Sequence, residues 1–206
     1  MTALRILFIV MFTLLTCMRT WFKIHYGVFR DRALRSSEGL IPVILRWFLG
    51  IPLLLATAAY IISPAGYQWM YIRIPPFLRY MAVPAGFACV YLLLRVHLVL
   101  GDNLSTTLVP DKQHTLIRTG PYRYIRHPMY TAYFFLFVSA FIISGNWLIG
   151  CSGVSVIVTL MTLRLKKEEQ LLLERYGHEY ATYMKEVGRF VPRVQALFRM
   201  VFSRGG

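Results

Sequence analysis

The sequence is short of acidic residues and of cysteines, and each shortage excludes a class of site. Nine aspartates and glutamates stand against 23 lysines and arginines, which gives a formal net charge of +14. The three cysteines, Cys17, Cys89 and Cys151, lie in separate apolar runs. Their odd number and their spacing fit neither a disulfide framework nor a metal site. We therefore predict no metal site and expect the cysteines to be small apolar packing residues.

The composition is that of a protein in contact with lipid. Hydrophobic residues make up 57% of the chain and the mean hydropathy is +0.53, whereas soluble domains contain about 45–50% apolar residues. A large basic excess can indicate nucleic-acid binding, but a nucleic-acid reader does not carry several long apolar runs. Retention of lysine and arginine on the cytoplasmic side of a membrane explains both features, so we predict no nucleic-acid partner.

Apolar runs long enough to cross a bilayer occur about five times. The first has neither a basic start beyond Arg5 nor a small-residue cleavage site, so we expect it to be an uncleaved span. Only Gly145 and Asn146, both strong turn formers, separate the last two runs, which predicts a tight helical hairpin. The sequence thus predicts an all-α integral membrane protein. Its predicted spans are residues 4–22, 40–62, 78–100, 128–145 and 147–165.

The distribution of basic residues predicts the orientation. Lysine and arginine are concentrated in residues 19–39, in residues 101–127 and from residue 164 onward, and all acidic residues fall in the same three segments. The opposite side carries only Arg5, Arg73 and Arg79. We therefore predict a multi-pass protein whose N-terminus is outside and whose C-terminus and polar working surface are cytoplasmic.

We expect two regions that differ in role. Residues 1–100 form a three-helix membrane region, and residues 101–206 form the region that carries the chemistry. After the fifth span the helical pattern continues to Gly177, which suits a helix C-terminus, and a second short helix follows from about residue 178 to 187. Its face of Tyr176, Tyr180, Tyr183 and Val187 is expected to pack against the loops. The apolar and basic residues 194–202 predict a segment on the cytoplasmic leaflet.

Two polar stretches of the second region are candidates for a binding site. Residues 112–130 are rich in donors, aromatic rings and fixed backbone angles, and they run directly into the fourth span. Pro128 is expected at the first position of that helix and His127 at its N-cap, where free N–H groups favour a ligand carboxylate. Arg164 and Glu168 lie one helical turn apart at the end of the fifth span. They form either a surface ion pair or a pair that holds a cationic and an anionic ligand group.

These stretches together resemble the isoprenylcysteine carboxyl methyltransferase family, whose wider group includes the phospholipid N-methyltransferases. The resemblance covers about residues 101–193. Two blocks occur in the same order as in the family and are separated by a two-helix hairpin. The matching strings are Gly120-Pro121-Tyr122, Arg126-His127-Pro128-Met129-Tyr130, Glu168-Glu169 and Tyr176-Gly177-His178-Glu179-Tyr180.

The resemblance implies S-adenosylmethionine as methyl donor and Arg164 as the residue that faces the substrate carboxylate. It also implies a prenylated, lipid-like substrate that enters from the bilayer, with no obligate protein partner. The chain has no Gly-x-Gly-x-x-Gly motif after a strand, so a soluble-type nucleotide fold is not available to bind the donor. The residues that the resemblance places in the donor pocket are His114, Thr115, Leu116, Ile117, Tyr122, His127, Pro128, Met129, Tyr130 and Glu168.

Three further readings stay open at this point. A carboxylate acceptor is ionised at neutral pH and needs no base, whereas the amine of a phospholipid headgroup needs one, with Glu169 or His127 as candidates. The Arg-His-Pro-x-Tyr string also occurs in membrane sterol reductases, which allows an NADPH-dependent reductase. A non-catalytic membrane protein is the third alternative; transport is disfavoured because the span centres carry almost no ionisable residues.

Overall fold

A computed structural model describes residues 2–26, 40–62, 64–101 and 115–193. Within these ranges the fold is all-α, and the only β pairings are two isolated bridges. Each predicted span corresponds to one helix. The helices are α1 (Thr2–His25), α2 (Leu40–Ile62), α3 (Pro76–Leu100), α4 (Pro128–Ser144) and α5 (Trp147–Glu186), with short 3-10 helices at Pro64–Met70 and Gly120–Arg123.

The described helices have the length and surface of membrane spans. Three are long and apolar enough to cross a bilayer, namely Ala3–His25, α3 and α5, and two shorter apolar helices lie at Trp47–Ile62 and Pro128–Ser144. Large apolar side chains such as Phe48, at 71% exposure, point away from the bundle. A surface of this kind suits lipid rather than water. The all-α membrane fold is thus confirmed, whereas the number of spans and their orientation stay predictions.

Contacts between helix ends show that neighbouring helices run in opposite directions. Arg5, near the start of α1, donates hydrogen bonds to the carbonyls of Ile61 and Ile62 at the end of α2. Arg79, near the start of α3, donates to the carbonyl of Ile143 at the end of α4, at 2.7 and 2.9 Å. The last carbonyls of a helix have no partner within the helix, so both arginines satisfy groups that would otherwise be unpaired.

The hairpin between α4 and α5 forms as the sequence predicts. Gly145 follows α4 with a φ of +70°, a left-handed conformation that glycine adopts at little cost. Asn146 is the N-cap of α5, and its side chain accepts hydrogen bonds from the backbone N–H groups of Leu148 and Ile149. A Cβ atom at Gly153 would lie 2.4 Å from the ring of Phe137. The two helices therefore pack closely as well as being joined closely.

One apolar core joins both halves of the chain. Residues from α1, α2 and α3 pack in the same buried cluster as residues from α4 and α5. The division into residues 1–100 and 101–206 is therefore a prediction about role, and the two regions share a core. Core residues with no exposed surface are Phe8, Met11, Ala56, Leu93, Leu136, Ala140 and Ile149.

The expectation for the cysteines is wrong at two of three positions. Cys89 is half-buried and packs against the core. Cys17 and Cys151 are exposed on the outside of the bundle. The composition of an apolar run does not reveal which of its faces meets lipid, and here two cysteines occupy that face. All three are free thiols.

The predicted end of a helix at Gly177 is confirmed. Backbone angles within α5 leave helical geometry at this residue, where φ is +49° and ψ is −122°. Residues 178–186 form a separate helical segment beyond it. Its aromatic face packs as expected, with Tyr180, Tyr183 and Val187 buried together. The segment 194–202 lies outside the described residues.

Gly177→Ala is expected to destabilise the protein because a side chain is strained at positive φ with ψ near −122°. The free energy of unfolding in detergent should fall by about 1–3 kcal/mol. Gly50→Ala is the matched control. Gly50 lies within a helix, and an added Cβ there meets nothing within 4 Å, so stability should stay equal or rise. Equal thermal unfolding of both variants would contradict this reading of Gly177.

Candidate functional site

The start of α4 is fixed by the chain segment that follows α5. Pro128 is the first residue of α4 and His127 its N-cap, as predicted. The backbone N–H of Arg126 donates to the carbonyl of Gly188 at 2.9 Å, and that of His127 donates to the carbonyl of Arg189 at 3.0 Å. A parallel bridge pairs residues 125 and 188. The backbone N–H of His127 therefore already has a hydrogen-bond partner within the protein.

A buried carboxylate lies where these two segments meet α5. Glu169 is only 5% exposed. Its Oε1 atom accepts hydrogen bonds from Arg126 at 3.1 Å, from His127 Nε2 at 3.2 Å and from Arg189 Nε at 3.1 Å. Arg189 also contacts Oε2 through its Nη2, so the two side chains meet at two points. Three donor side chains therefore converge on one carboxylate.

The surroundings of Glu169 keep it ionised. Burial alone would raise its pKa, but the hydrogen bonds from His127, Arg189 and Arg126 outweigh burial and lower the pKa to about 2. A buried charge is tolerated only when it is paired and hydrogen-bonded, and Glu169 meets both conditions. A carboxylate held in this state is a weak proton acceptor at neutral pH.

The neighbouring glutamate points to a different group of residues. Glu168 accepts a hydrogen bond from the hydroxyl of Tyr130 at 2.9 Å, and its Oε1 lies 3.7 Å from the Nε of Arg164. Both Arg164 and Glu168 are partly exposed, at 24% and 17% of their side chains. Three of the predicted site residues, Tyr130 from α4 and Arg164 and Glu168 from α5, are thereby brought together. This group keeps access from outside, unlike Glu169.

Tyrosines close the side of the site formed by residues 178–187. The hydroxyl of Tyr183 donates to the carbonyl of Tyr122 at 2.6 Å, and the guanidinium of Arg118 lies 5.2 Å from the Tyr183 ring. Burial, followed by the charge of Glu169, raises the pKa of Tyr180 to about 12. The Tyr180 hydroxyl is buried and has no hydrogen-bond partner within the described part of the chain. It is therefore a neutral hydroxyl whose hydrogen bond is not satisfied within the described residues.

The remaining predicted residues are distributed unevenly around this centre. His114 lies outside the described residues. Thr115 is exposed and Ile117 half-buried, whereas Leu116 packs against the tyrosine cluster. Pro128 is fully buried at the helix start, and Met129 packs on the main core. The assignment of all these residues to a donor pocket stays a prediction.

Sequence reasoning missed three residues of the centre. Arg126 lies within the recognised motif, and its position beside His127 could have marked it. Arg189 was counted only as one of the basic residues of the tail, and no local pattern links it to Glu169, 20 residues earlier. Tyr180 was seen as a packing residue. The last two acquire their places only through the turn at Gly177.

Acid is expected to weaken the fold through Glu169. Its pKa in the folded protein is lowered to about 2, so its contribution is present above the ordinary value of 4.5 and is lost as the pH falls toward 2. The loss should be on the order of 2–3 kcal/mol in the free energy of unfolding. Thermal unfolding at pH 7 and pH 3 would measure it. Glu169→Gln should be less stable at pH 7 and should lose less on acidification; an equal loss in both proteins would contradict the assignment.

Comparison with known proteins finds a match for part of this chain, which includes Arg126, His127, Glu168 and Glu169. The sequence model described as "Isoprenylcysteine carboxyl methyltransferase (ICMT) family" matches residues 80–174. A curated relative from Schizosaccharomyces pombe, named protein-S-isoprenylcysteine O-methyltransferase, is 27% identical over 60% of this chain and 56% of its own length. Proteins of the same name from Homo sapiens and Dictyostelium discoideum are 27% and 31% identical over 47% and 46% of this chain.

The match spans about half or less of the length of these relatives, at 56% of the S. pombe protein, 35% of the human protein and 40% of the Dictyostelium protein. The fold is similar to a solved structure of the eukaryotic intramembrane Ras methyltransferase, isoprenylcysteine carboxyl methyltransferase. That likeness has a TM-score of 0.50 at 21% identity and covers 80% of this chain and 55% of the other. Residues 80–174 are thus similar to the isoprenylcysteine carboxyl methyltransferase family.

Proposed function

We propose that this protein is an S-adenosylmethionine-dependent membrane methyltransferase that methylates the carboxylate of an isoprenylcysteine-type substrate. The observation that carries the proposal is the group formed by Tyr130, Glu168 and Arg164, which joins α4 to α5 inside the stretch that matches the family. A carboxylate and a guanidinium one helical turn apart, both partly exposed, offer complementary contacts to a charged donor and a charged acceptor.

The residues present suit the methyl donor, which carries an amino group, a carboxylate and an adenine. Glu168 offers a partly exposed carboxylate for the amino group, oriented by Tyr130. The buried Tyr180 hydroxyl, which has no partner in the described part of the chain, offers a hydrogen bond. Such an unpaired buried hydroxyl is costly unless a ligand or water satisfies it. When bound, the donor supplies an activated methyl group on a sulfonium.

Arg164 is the residue that we assign to the acceptor. Its planar guanidinium matches a carboxylate and is always charged, so it can orient the acceptor without removing a proton. Arg164 lies at the boundary between the apolar part of α5 and its charged continuation. An acceptor with an apolar tail in the bilayer would present its carboxylate at this boundary. Catalysis then consists mainly of positioning and the exclusion of water.

The geometry favours a carboxylate acceptor over the amine of a phospholipid. Methylation of an ammonium group needs a base, and Glu169 and His127 were the candidates. Both are committed to the buried cluster with Arg126 and Arg189, and the pKa of Glu169 is too low for a base at neutral pH. A carboxylate acceptor needs no base. The site is proposed to lie on the cytoplasmic side, because lysines and arginines are concentrated at this end of the helices.

The test is S-adenosylmethionine binding to the detergent-purified full chain by calorimetry, followed by methyl transfer to a prenylcysteine with a free carboxylate. Glu168→Ala should weaken donor binding about tenfold or more, because a charged hydrogen bond is lost. Arg164→Ala should keep donor binding and lose methyl transfer. Glu174→Gln is the control, since Glu174 is exposed on the same helix and accepts a local hydrogen bond from Gln170.

Three other results would contradict the proposal in distinguishable ways. Binding of NADPH without binding of S-adenosylmethionine would favour a reductase. Methylation of phosphatidylethanolamine, or of the prenylcysteine amide, would show that the acceptor is not a carboxylate. Unchanged binding of S-adenosylmethionine by Glu168→Ala would show that Glu168 does not bind the donor.

A further inference from the structure

The buried cluster around Glu169 has no role in the reaction proposed above, yet it lies next along the chain to Tyr130 and Glu168, on α4 and α5. It joins three elements: the residues before α4, the middle of α5, and residues 187–193, which we name the strap. Arg126 and His127 come from the first, Glu169 from the second and Arg189 from the third. Two backbone hydrogen bonds and a hydrogen bond from Thr131 to the carbonyl of Phe190, at 2.9 Å, hold the same elements.

The cluster and the donor site share two rigid connections. Glu168 and Glu169 are adjacent on α5, so holding the Glu169 carboxylate also holds the stretch of backbone from which Glu168 projects. On α4, His127 lies three residues before Tyr130, which is about one helical turn. The contact between Tyr130 and Glu168, at 2.9 Å, therefore requires that α4 starts in the position that the cluster imposes.

The strap is held differently at its two arginines. Arg189 reaches the buried carboxylate with Nε and Nη2, although its side chain is 45% exposed. Among the described residues, Arg193 donates to the backbone carbonyls of Lys185 and Met184. Gly177 separates the segment that carries the strap from the rest of α5 and has open space around it. In the described part of the chain, one arginine thus ties the strap to Glu169, and the other ties it to the helical segment that precedes it.

We infer that Glu169 and Arg189 are positioning residues for the methyl donor: their ion pair latches the strap against the start of α4 and so holds Tyr130 against Glu168. This inference rests on the proposed function for the identity of the ligand. The latch itself is a property of the fold and can be measured without a ligand. Neither residue needs to contact the donor or the acceptor.

The first measurement is backbone amide hydrogen exchange of the full chain without ligand. The N–H groups of Arg126 and His127 donate to strap carbonyls, so their exchange reports opening of the latch. Arg189→Gln should speed exchange in peptides that contain residues 125–128 by about tenfold. Arg193→Gln, the matched control, should leave that exchange unchanged. Equal exchange in wild type and Arg189→Gln would overturn the latch.

The second measurement separates positioning from a loss of folded protein. Arg189→Gln should raise the KM for S-adenosylmethionine about tenfold and keep kcat at saturating donor, because the reacting groups are unchanged. A merely structural defect would instead lower kcat with the folded fraction and leave KM as it is. A further check uses Tyr130→Phe: its effect on the donor Kd should be much smaller in the Arg189→Gln background than in wild type. Additive effects on Kd would overturn the inference.

Failure of the two proposals can be told apart. If the wild type binds no S-adenosylmethionine, the proposed function is wrong, and the latch is then judged by amide exchange alone. If the wild type binds and Arg189→Gln binds with equal affinity, the positioning role is wrong while the proposed function stands.

Discussion

Placing a carboxylate out of water costs free energy unless donors replace the lost hydration, and the arrangement around Glu169 follows from that constraint. Its two carboxylate oxygens accept hydrogen bonds from the side chains of residues 126, 127 and 189. Those donors belong to segments far apart in sequence. The hydrogen bonds to the Glu169 carboxylate therefore bring together the residues before α4, the middle of α5 and the strap. The adjacent Glu168 then has a defined position at the edge of the membrane span.

The two neighbouring glutamates show how one helix can present two environments. Successive residues on a helix point in directions about 100° apart. One direction leads inward to three cationic or imidazole donors, and the other leads to a tyrosine and an arginine near the surface. The inward carboxylate is held ionised and inaccessible, while the outward one can meet a ligand. A paired acidic motif thus divides into one member with a structural role and one that we propose for ligand binding.

Much of the fold could be predicted because the relevant forces are local or periodic. Apolar runs gave the helices, Gly145 and Asn146 gave the hairpin, and Pro128 gave the start of α4, since each acts through its own backbone or its immediate neighbours. What could not be predicted depends on which face of a helix meets which neighbour. Hydropathy alone did not show that Cys17 and Cys151 are exposed, or that the imidazole of His127 turns toward Glu169. The pairing of Arg189 with Glu169 depends on the backbone turn at Gly177, whose direction is a property of the whole fold.

Arg5 and Arg79 have a consequence for the electrical character of the two ends of the bundle. Each guanidinium lies against carbonyls at the end of a neighbouring helix, where the aligned peptide dipoles amount to roughly half a negative charge. Their positive charge is therefore partly compensated by the backbone. The other end carries many more basic side chains, several of them exposed, such as Lys166 and Lys167. The two ends of the bundle therefore differ in how their positive charge is compensated: backbone carbonyls lie against the guanidinium groups of Arg5 and Arg79, whereas the basic side chains exposed at the opposite end are open to screening by salt.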